Sequence, residues 1–292
     1  MPAPRVSFFT AGTRTSYGES YIIASQCYVQ YVPPRNDAET ADTVPLLFVH
    51  GGGLTGSQWE STPDRRPGWA ALASQEGRHV YIMDGVDSDR SQRAPDSVRE
   101  AEVEYRDAKQ IWDRFRFGPL DGWDERKPFD DSAFPVEYLD QLVATQAGRR
   151  RTADEIEAKG IVDVVRELAV NSRVDVVAHS NGAMLLSKAL DQIADLLRNI
   201  VFVEPGPKTD ATALLEEPKT LVVWGEYIEG HAMWTPLKSA MEGANVEELL
   251  LPNVGVRGNS HFPMSDQNSD KVWKQISHWL ESSSDFSASR FL

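Results

Sequence analysis

The chain has 292 residues, 41% hydrophobic and 25% charged, with a net charge of −14 and a pI near 4.9. That is the composition of an ordinary globule, long enough for one large α/β domain with an insertion. Its acidity excludes nucleic acid and anionic membrane as partners, which would both repel it. The single cysteine, Cys27, excludes an internal disulfide and a cysteine metal cluster; no metal or cofactor is expected. The diffuse negative charge implies a modest bias toward neutral or cationic small molecules. No stretch reaches membrane-span length and Met1–Tyr17 lacks a secretory apolar core, so the expected location is cytoplasmic.

Taken in chain order, Tyr21–Val32 reads as a long strand ended by Pro33-Pro34, with Cys27 as a buried apolar thiol in its alternation. Asn36–Asp42 follows as a polar turn. Leu46–His50 is an apolar strand that runs into Gly51-Gly52-Gly53. Glycines there let backbone N–H groups face a developing negative charge with no Cβ in the way. A helix around Gly68–Gln75 and a strand at His79–Asp84 come next.

Between Arg90 and Arg151 the alternation of strand and helix stops. Tyr105, Trp112, Phe115, Phe117, Trp123, Phe129, Phe134 and Tyr138 place eight aromatics in 34 residues, against 9% for the whole chain. The segment is expected to be a cap over the catalytic edge, with Trp112, Phe115 and Trp123 contacting substrate. The competing reading is that these rings only glue the insertion to the core.

Past the insertion come a helix near Ala153–Val170 and a strand at Val174–Ala178 that stops at Ser180, from which a helix runs to about Leu197. Ala178 and Gly182 flank the serine two positions away on either side, as they must where strand and helix backbones nearly touch. This is the sequence form of a nucleophile elbow, G-x-S-x-G with its first glycine replaced by alanine. Strands at Ile200–Glu204 and Thr220–Gly225, a helix near Pro236–Gly243, a strand at Val246–Leu251 and a helix at Ser265–Ser282 complete the pattern. Alternating elements imply a mostly parallel sheet with helices on both faces and a site at the carboxyl ends of the strands. The expected division is a core of 1–89 and 152–282, a cap of 90–151 and a flexible tail of 283–292.

A serine hydroxyl needs a histidine base, and the base needs an anionic partner. Of six histidines, His50 and His179 shape the two turns, His79 starts a strand and His278 lies within the last helix. His261 follows the final strand in the loop Gly258-Asn259-Ser260 and is the expected base, with His231 the alternative. For the acid, the position three residues past Gly225 is Ile228, which cannot serve. Glu204 ends a buried strand before the rigid Pro205-Gly206-Pro207 turn, and an unpaired carboxylate there would be costly. It is the first choice; Glu226 is second, and Glu229 also flanks Ile228.

Four motifs, Phe48-Val49-His50-Gly51-Gly52-Gly53, Ala178-His179-Ser180-Asn181-Gly182, Val203-Glu204-Pro205 and Gly258-Asn259-Ser260-His261, carry a family likeness. From about Phe8 to Leu280 the chain resembles the α/β-hydrolases, and within them bacterial and fungal serine esterases whose triad acid is a glutamate after the sixth strand. The resemblance implies ester hydrolysis through a Ser-His-Glu triad. Residue by residue, Ser180 is the nucleophile, His261 the base and Glu204 the acid. The amides of Gly52 or Gly53 and of Asn181 form the oxyanion hole. The expected substrate is a small to medium apolar ester, lactones included, and oligomers are compatible with this reading. A biosynthetic enzyme of the same fold (lyase, cyclase or acyl transfer) or a non-catalytic small-molecule binder is the competing class, but a binder gives no reason for His261 and Glu204 together.

Overall fold

A computed structural model describes residues 6–35, 44–210, 218–232 and 234–285. The expected turn at Asn36–Asp42 and residues 286–292 of the expected tail lie outside these. Eight strands form one sheet: β1 (Val6–Phe9), β2 (Tyr28–Val32), β3 (Pro45–Val49), β4 (His79–Asp84), β5 (Val174–His179), β6 (Leu197–Val203), β7 (Lys219–Trp224) and β8 (Val246–Leu250). Their spatial order is β1-β2-β4-β3-β5-β6-β7-β8. Within this sheet β2 alone opposes its neighbours; the other pairings are parallel. Every residue of β3 and β5 is buried, as the central strands of a two-sided sheet require.

The helices are α1 (Ser57–Glu60), α2 (Trp69–Gln75), α3 (Ala108–Arg114), α4 (Leu139–Ala144), α5 (Asp154–Leu168), α6 (Asn181–Ile193), α7 (Trp234–Met241) and α8 (Ser269–Asp285). Side chains alternate across the pleat, so one strand feeds two cores. Val176 and Ala178 of β5 pack with α5, α6 and α7 through Ile161, Leu186 and Leu237. Val177 faces the other way, toward α2 and α8, with Trp69, Trp273 and Ile276. The sheet is therefore covered on both faces. No helix among the described residues is long and apolar enough to cross a membrane.

Two expectations need correction. Tyr21–Val32 is not one strand: Ser20–Ala24 pairs with Thr13–Tyr17 in a separate antiparallel hairpin, and β2 starts only at Tyr28. The break is at Ser25, whose φ of +63° no strand residue adopts; beyond it the Cys27 N–H donates to Thr10 Oγ1 at 2.8 Å. Cys27 itself is fully buried, as expected. A two-residue antiparallel pairing of Val103–Glu104 with Arg149–Arg150 flanks the aromatic segment Tyr105–Tyr138 within 90–151. Helix α8 continues to Asp285, into the segment assigned to the tail, because the serine run 282–284 extends a helix already anchored by Trp273, Ile276 and Leu280.

Gly182 shows how closely the layers approach. A Cβ there would stand 2.4 Å from the His50 carbonyl oxygen at the end of β3. Overpacking of this kind costs about 1–3 kcal/mol, and each kcal/mol shifts Tm by about 2–4 °C in a domain approaching this size. Gly182→Ala is expected to lower Tm by several degrees in a thermal melt monitored by circular dichroism.

Candidate active site

Ser180 caps α6 with φ +51° and ψ −115°, a conformation that costs a non-glycine residue about 1–3 kcal/mol. The neighbouring strand holds it there. Its N–H donates to the Val203 carbonyl at 3.1 Å and its carbonyl accepts from the Gly206 N–H at 2.9 Å. Opposite lies the glycine loop after β3. The Gly51 N–H is engaged by Gln58 Oε1 at 3.0 Å, whereas the amides of Gly52, Gly53 and Asn181 have no protein acceptor among the described residues. Glycine is favoured at 52, where a Cβ would meet Asn181 Cβ at 3.0 Å, and at 53, where φ is +75°.

Three side chains join in one hydrogen-bonded chain. His261 Nε2 lies 3.0 Å from Ser180 Oγ, and His261 Nδ1 lies 3.1 Å from Glu204 Oε2. A carboxylate accepts only, so Nδ1 carries the proton and Nε2 is free to accept from the serine. Glu204 is 1% exposed and also strained, with φ +46°. Its Oε1 accepts from the Gly225 N–H at 2.5 Å, and Arg116 Nη2 forms an ion pair with Oε2 at 2.7 Å. Burial would raise the Glu204 pKa, but the Arg116 charge and the His261 hydrogen bond outweigh it and hold the carboxyl at about 2. Burial lowers the His261 pKa against the opposing pull of Glu204, leaving a neutral imidazole at neutral pH.

The base is held by its backbone as well. The His261 N–H donates to the Phe115 carbonyl at 3.0 Å, and its own carbonyl accepts from His179 Nε2 at 2.9 Å. Phe115 stacks on the imidazole, with centroids 5.2 Å apart and planes 17° apart. Asp266 accepts from the Ser260 N–H and hydroxyl, both at 2.8 Å, and so fixes the loop just before the base. The other candidates are engaged elsewhere. Glu226 accepts from the Gly258 N–H at 2.5 Å and pairs with Arg257, Glu229 is exposed, and His231 lines the cavity without a bond to Ser180. His50 accepts from the Gly85 N–H at 2.9 Å and donates to Gly51 O at 2.8 Å, a turn-shaping role.

No family model matches the chain. A solved bacterial esterase is 25% identical with a TM-score of 0.81, the match covering 97% of this chain and 96% of the esterase. The chain has the α/β-hydrolase fold. An esterase of Thermogutta terrifontis (12% identity, TM-score 0.53, covering 96% of this chain and 99% of that one) shares the fold. So does a proline iminopeptidase of Mycobacterium smegmatis (14%, 0.55, covering 97% and 100%). One fold thus carries more than one chemistry, and function has to be argued from the site. A probable secreted lipase, phiG, of a fungal species is 36% identical over 85 residues, which are 29% of this chain and 21% of that protein. The match spans about a fifth of the lipase.

In this α/β-hydrolase fold the Ser180 hydroxyl opens into a cavity of about 520 Å³. Phe115 lines it, but Trp112 and Trp123 do not. Trp112 donates its indole N–H to the Pro119 carbonyl at 3.0 Å and packs edge-on against Trp123 at 6.0 Å and Phe117 at 6.4 Å. These rings brace the insertion internally, because their neighbours are one another. Sequence reading missed Arg116 and Asp266; an arginine within an insertion and an aspartate outside the four motifs carry no signal that would single them out. Replacing fully buried Trp112 by alanine should cost about 3–5 kcal/mol, measurable as a lowered midpoint in urea denaturation.

Proposed function

We propose that this protein is a carboxylic ester hydrolase that works through Ser180 as nucleophile, His261 as general base and acid, and Glu204 as the anion that fixes and stabilises the imidazolium. The observation that carries the reading is the unbroken hydrogen-bonded chain from Ser180 Oγ through both His261 nitrogens to Glu204, facing a cavity. Ser180 attacks the acyl carbon as His261 Nε2 takes its proton. The negative charge that develops on the carbonyl oxygen is met by the free amides of Gly52, Gly53 and Asn181 at the helix N-terminus. His261 then gives its proton to the leaving alcohol, and water repeats the cycle on the acyl-serine. A lactone fits the same steps, its alcohol remaining tethered to the acyl group.

Residues 90–151 act as the cap over a core of 1–89 and 152–282. Phe115 is its substrate-contacting ring, while Arg116 positions Glu204. The cavity volume falls in the range of small-molecule sites, which supports small to medium esters.

Ser180→Ala should abolish turnover of p-nitrophenyl acetate, and an organophosphonate should leave its adduct on the Ser180 peptide in mass spectrometry; activity above a few per cent in the alanine variant would refute the nucleophile. Glu204→Gln should lose far more activity than Glu226→Gln, up to about four decades by analogy with other triads, and the opposite order would move the acid to the loop after β7.

The acid limb of kcat/KM is expected below pH 6.5, because the His261 pKa is lowered from that value and the free base is the active form. Arg116 is among the charges that depress it. Arg116→Gln should therefore favour the imidazolium and move the limb to higher pH. An unmoved limb in the pH–rate profile would deny Arg116 this positioning role.

A further inference from the structure

The walls of the cavity carry a charge opposite to that of the chain. Of its cationic residues, Arg116 is paired with Glu204 and Arg151 with Glu104. Its other acidic residue, Asp154, is paired with Lys188. Arg106, Arg114, Arg149 and Lys208 also line it, and none has a carboxylate partner among the described residues.

Two of these arginines stand beside the glycine loop. The short pairing of Val103–Glu104 with Arg149–Arg150 sets Arg106 and Arg149 close together where the insertion joins the core. Arg106 Nη1 donates to the Gly52 carbonyl at 3.1 Å, and Arg149 Nη2 donates to Asn181 Oδ1 at 2.9 Å. A Cβ on Gly53 would lie 3.4 Å from Arg106 Nη1, and one on Gly52 would lie 3.5 Å from Arg149 Cζ. The Arg106 guanidinium also lies 6.0 Å from the centre of the Phe115 ring, the ring stacked on His261. Both hydrogen-bond acceptors are neutral, and Glu104, the carboxylate that acts electrostatically on both arginines, is itself ion-paired with Arg151. Arg149 Nε is buried and makes no hydrogen bond. Burial, then the charges of Arg114 and Arg149, push the Arg106 pKa below its ordinary value; an anion between the guanidinia would relieve that repulsion.

We infer that Arg106 and Arg149 bind a carboxylate carried by the substrate, so the ester hydrolysed is an anionic one. This rests on the hydrolase reading above and narrows it. A planar guanidinium offers paired N–H donors to a carboxylate, and the ester carbonyl would then lie beside the same loop whose amides receive its developing charge.

The test compares p-nitrophenyl pentanoate with the half-ester mono-p-nitrophenyl glutarate, in which a carboxylate replaces the terminal methyl. Wild-type enzyme should prefer the half-ester by about tenfold or more in kcat/KM, mainly through KM, as a charge-assisted contact predicts. High salt should shrink that ratio, and Arg106→Gln and Arg149→Gln should each bring it toward one. Glutarate should compete with the neutral ester in the wild-type enzyme whether or not the variants fold. A wild-type ratio of one or less, a ratio unmoved by both substitutions, or stronger competition by inorganic phosphate than by glutarate would overturn the inference. Hydrolysis of neither ester would instead sink the hydrolase reading itself.

Discussion

A single buried carboxylate organises the candidate active site of this protein. Glu204 sits at the end of β6, 1% exposed, with a backbone angle that glutamate rarely adopts. Isolated in that position it would take up a proton, because burial disfavours the charge. It stays ionised because three groups from three parts of the chain converge on it: the His261 imidazole, the Gly225 amide and the Arg116 guanidinium. Removing one member of a buried ion pair typically costs about 3–5 kcal/mol, since it strands the other charge. The geometry of the site and the stability of this part of the fold are thus one problem.

The insertion is part of that solution rather than an ornament on the core. Phe115 gives a backbone carbonyl to the His261 N–H and a ring to its face, and the next residue supplies the charge that holds Glu204. Farther along, the Ala133 N–H donates to the Gly258 carbonyl at 2.8 Å and the Ala133 carbonyl accepts from the Gln267 N–H at 2.7 Å. The loop bearing His261 is therefore clamped on one side by the insertion and on the other by His179 of the elbow. A movement of residues 90–151 large enough to open the cavity would have to break or carry these bonds, so access and the pairing of His261 with Glu204 are mechanically linked.

Charge shows the same dependence on three-dimensional arrangement. The chain as a whole is strongly acidic, yet the acidic groups lining the cavity are already paired and several of its cations are not. Net charge governs long-range encounter, whereas the preference of a pocket depends on the few groups within a Debye length of the ligand. Averaged composition pointed to neutral or cationic molecules; the local field around Arg106 and Arg149 has the opposite sign.

The sequence by itself determined the sheet, because continuous apolar runs at 46–49, 176–178 and 200–203 can be satisfied only by two-sided burial. It also determined the strained serine and the glycine loop, because those backbone shapes admit few residue types and so leave a local signature. His261 and Glu204 were legible one step further, through their places at strand ends in an ordered topology. The break at Ser25, the bracing of Trp112 against Trp123, the contacts of Arg116 and Asp266, and the placing of Arg106 and Arg149 beside the glycine loop were decided by tertiary structure alone. A buried charge is defined by its partners, and those partners lie tens of residues away with no periodicity to announce them. An aromatic ring likewise reads the same in sequence whether it faces a cavity or another ring; only packing tells the two apart.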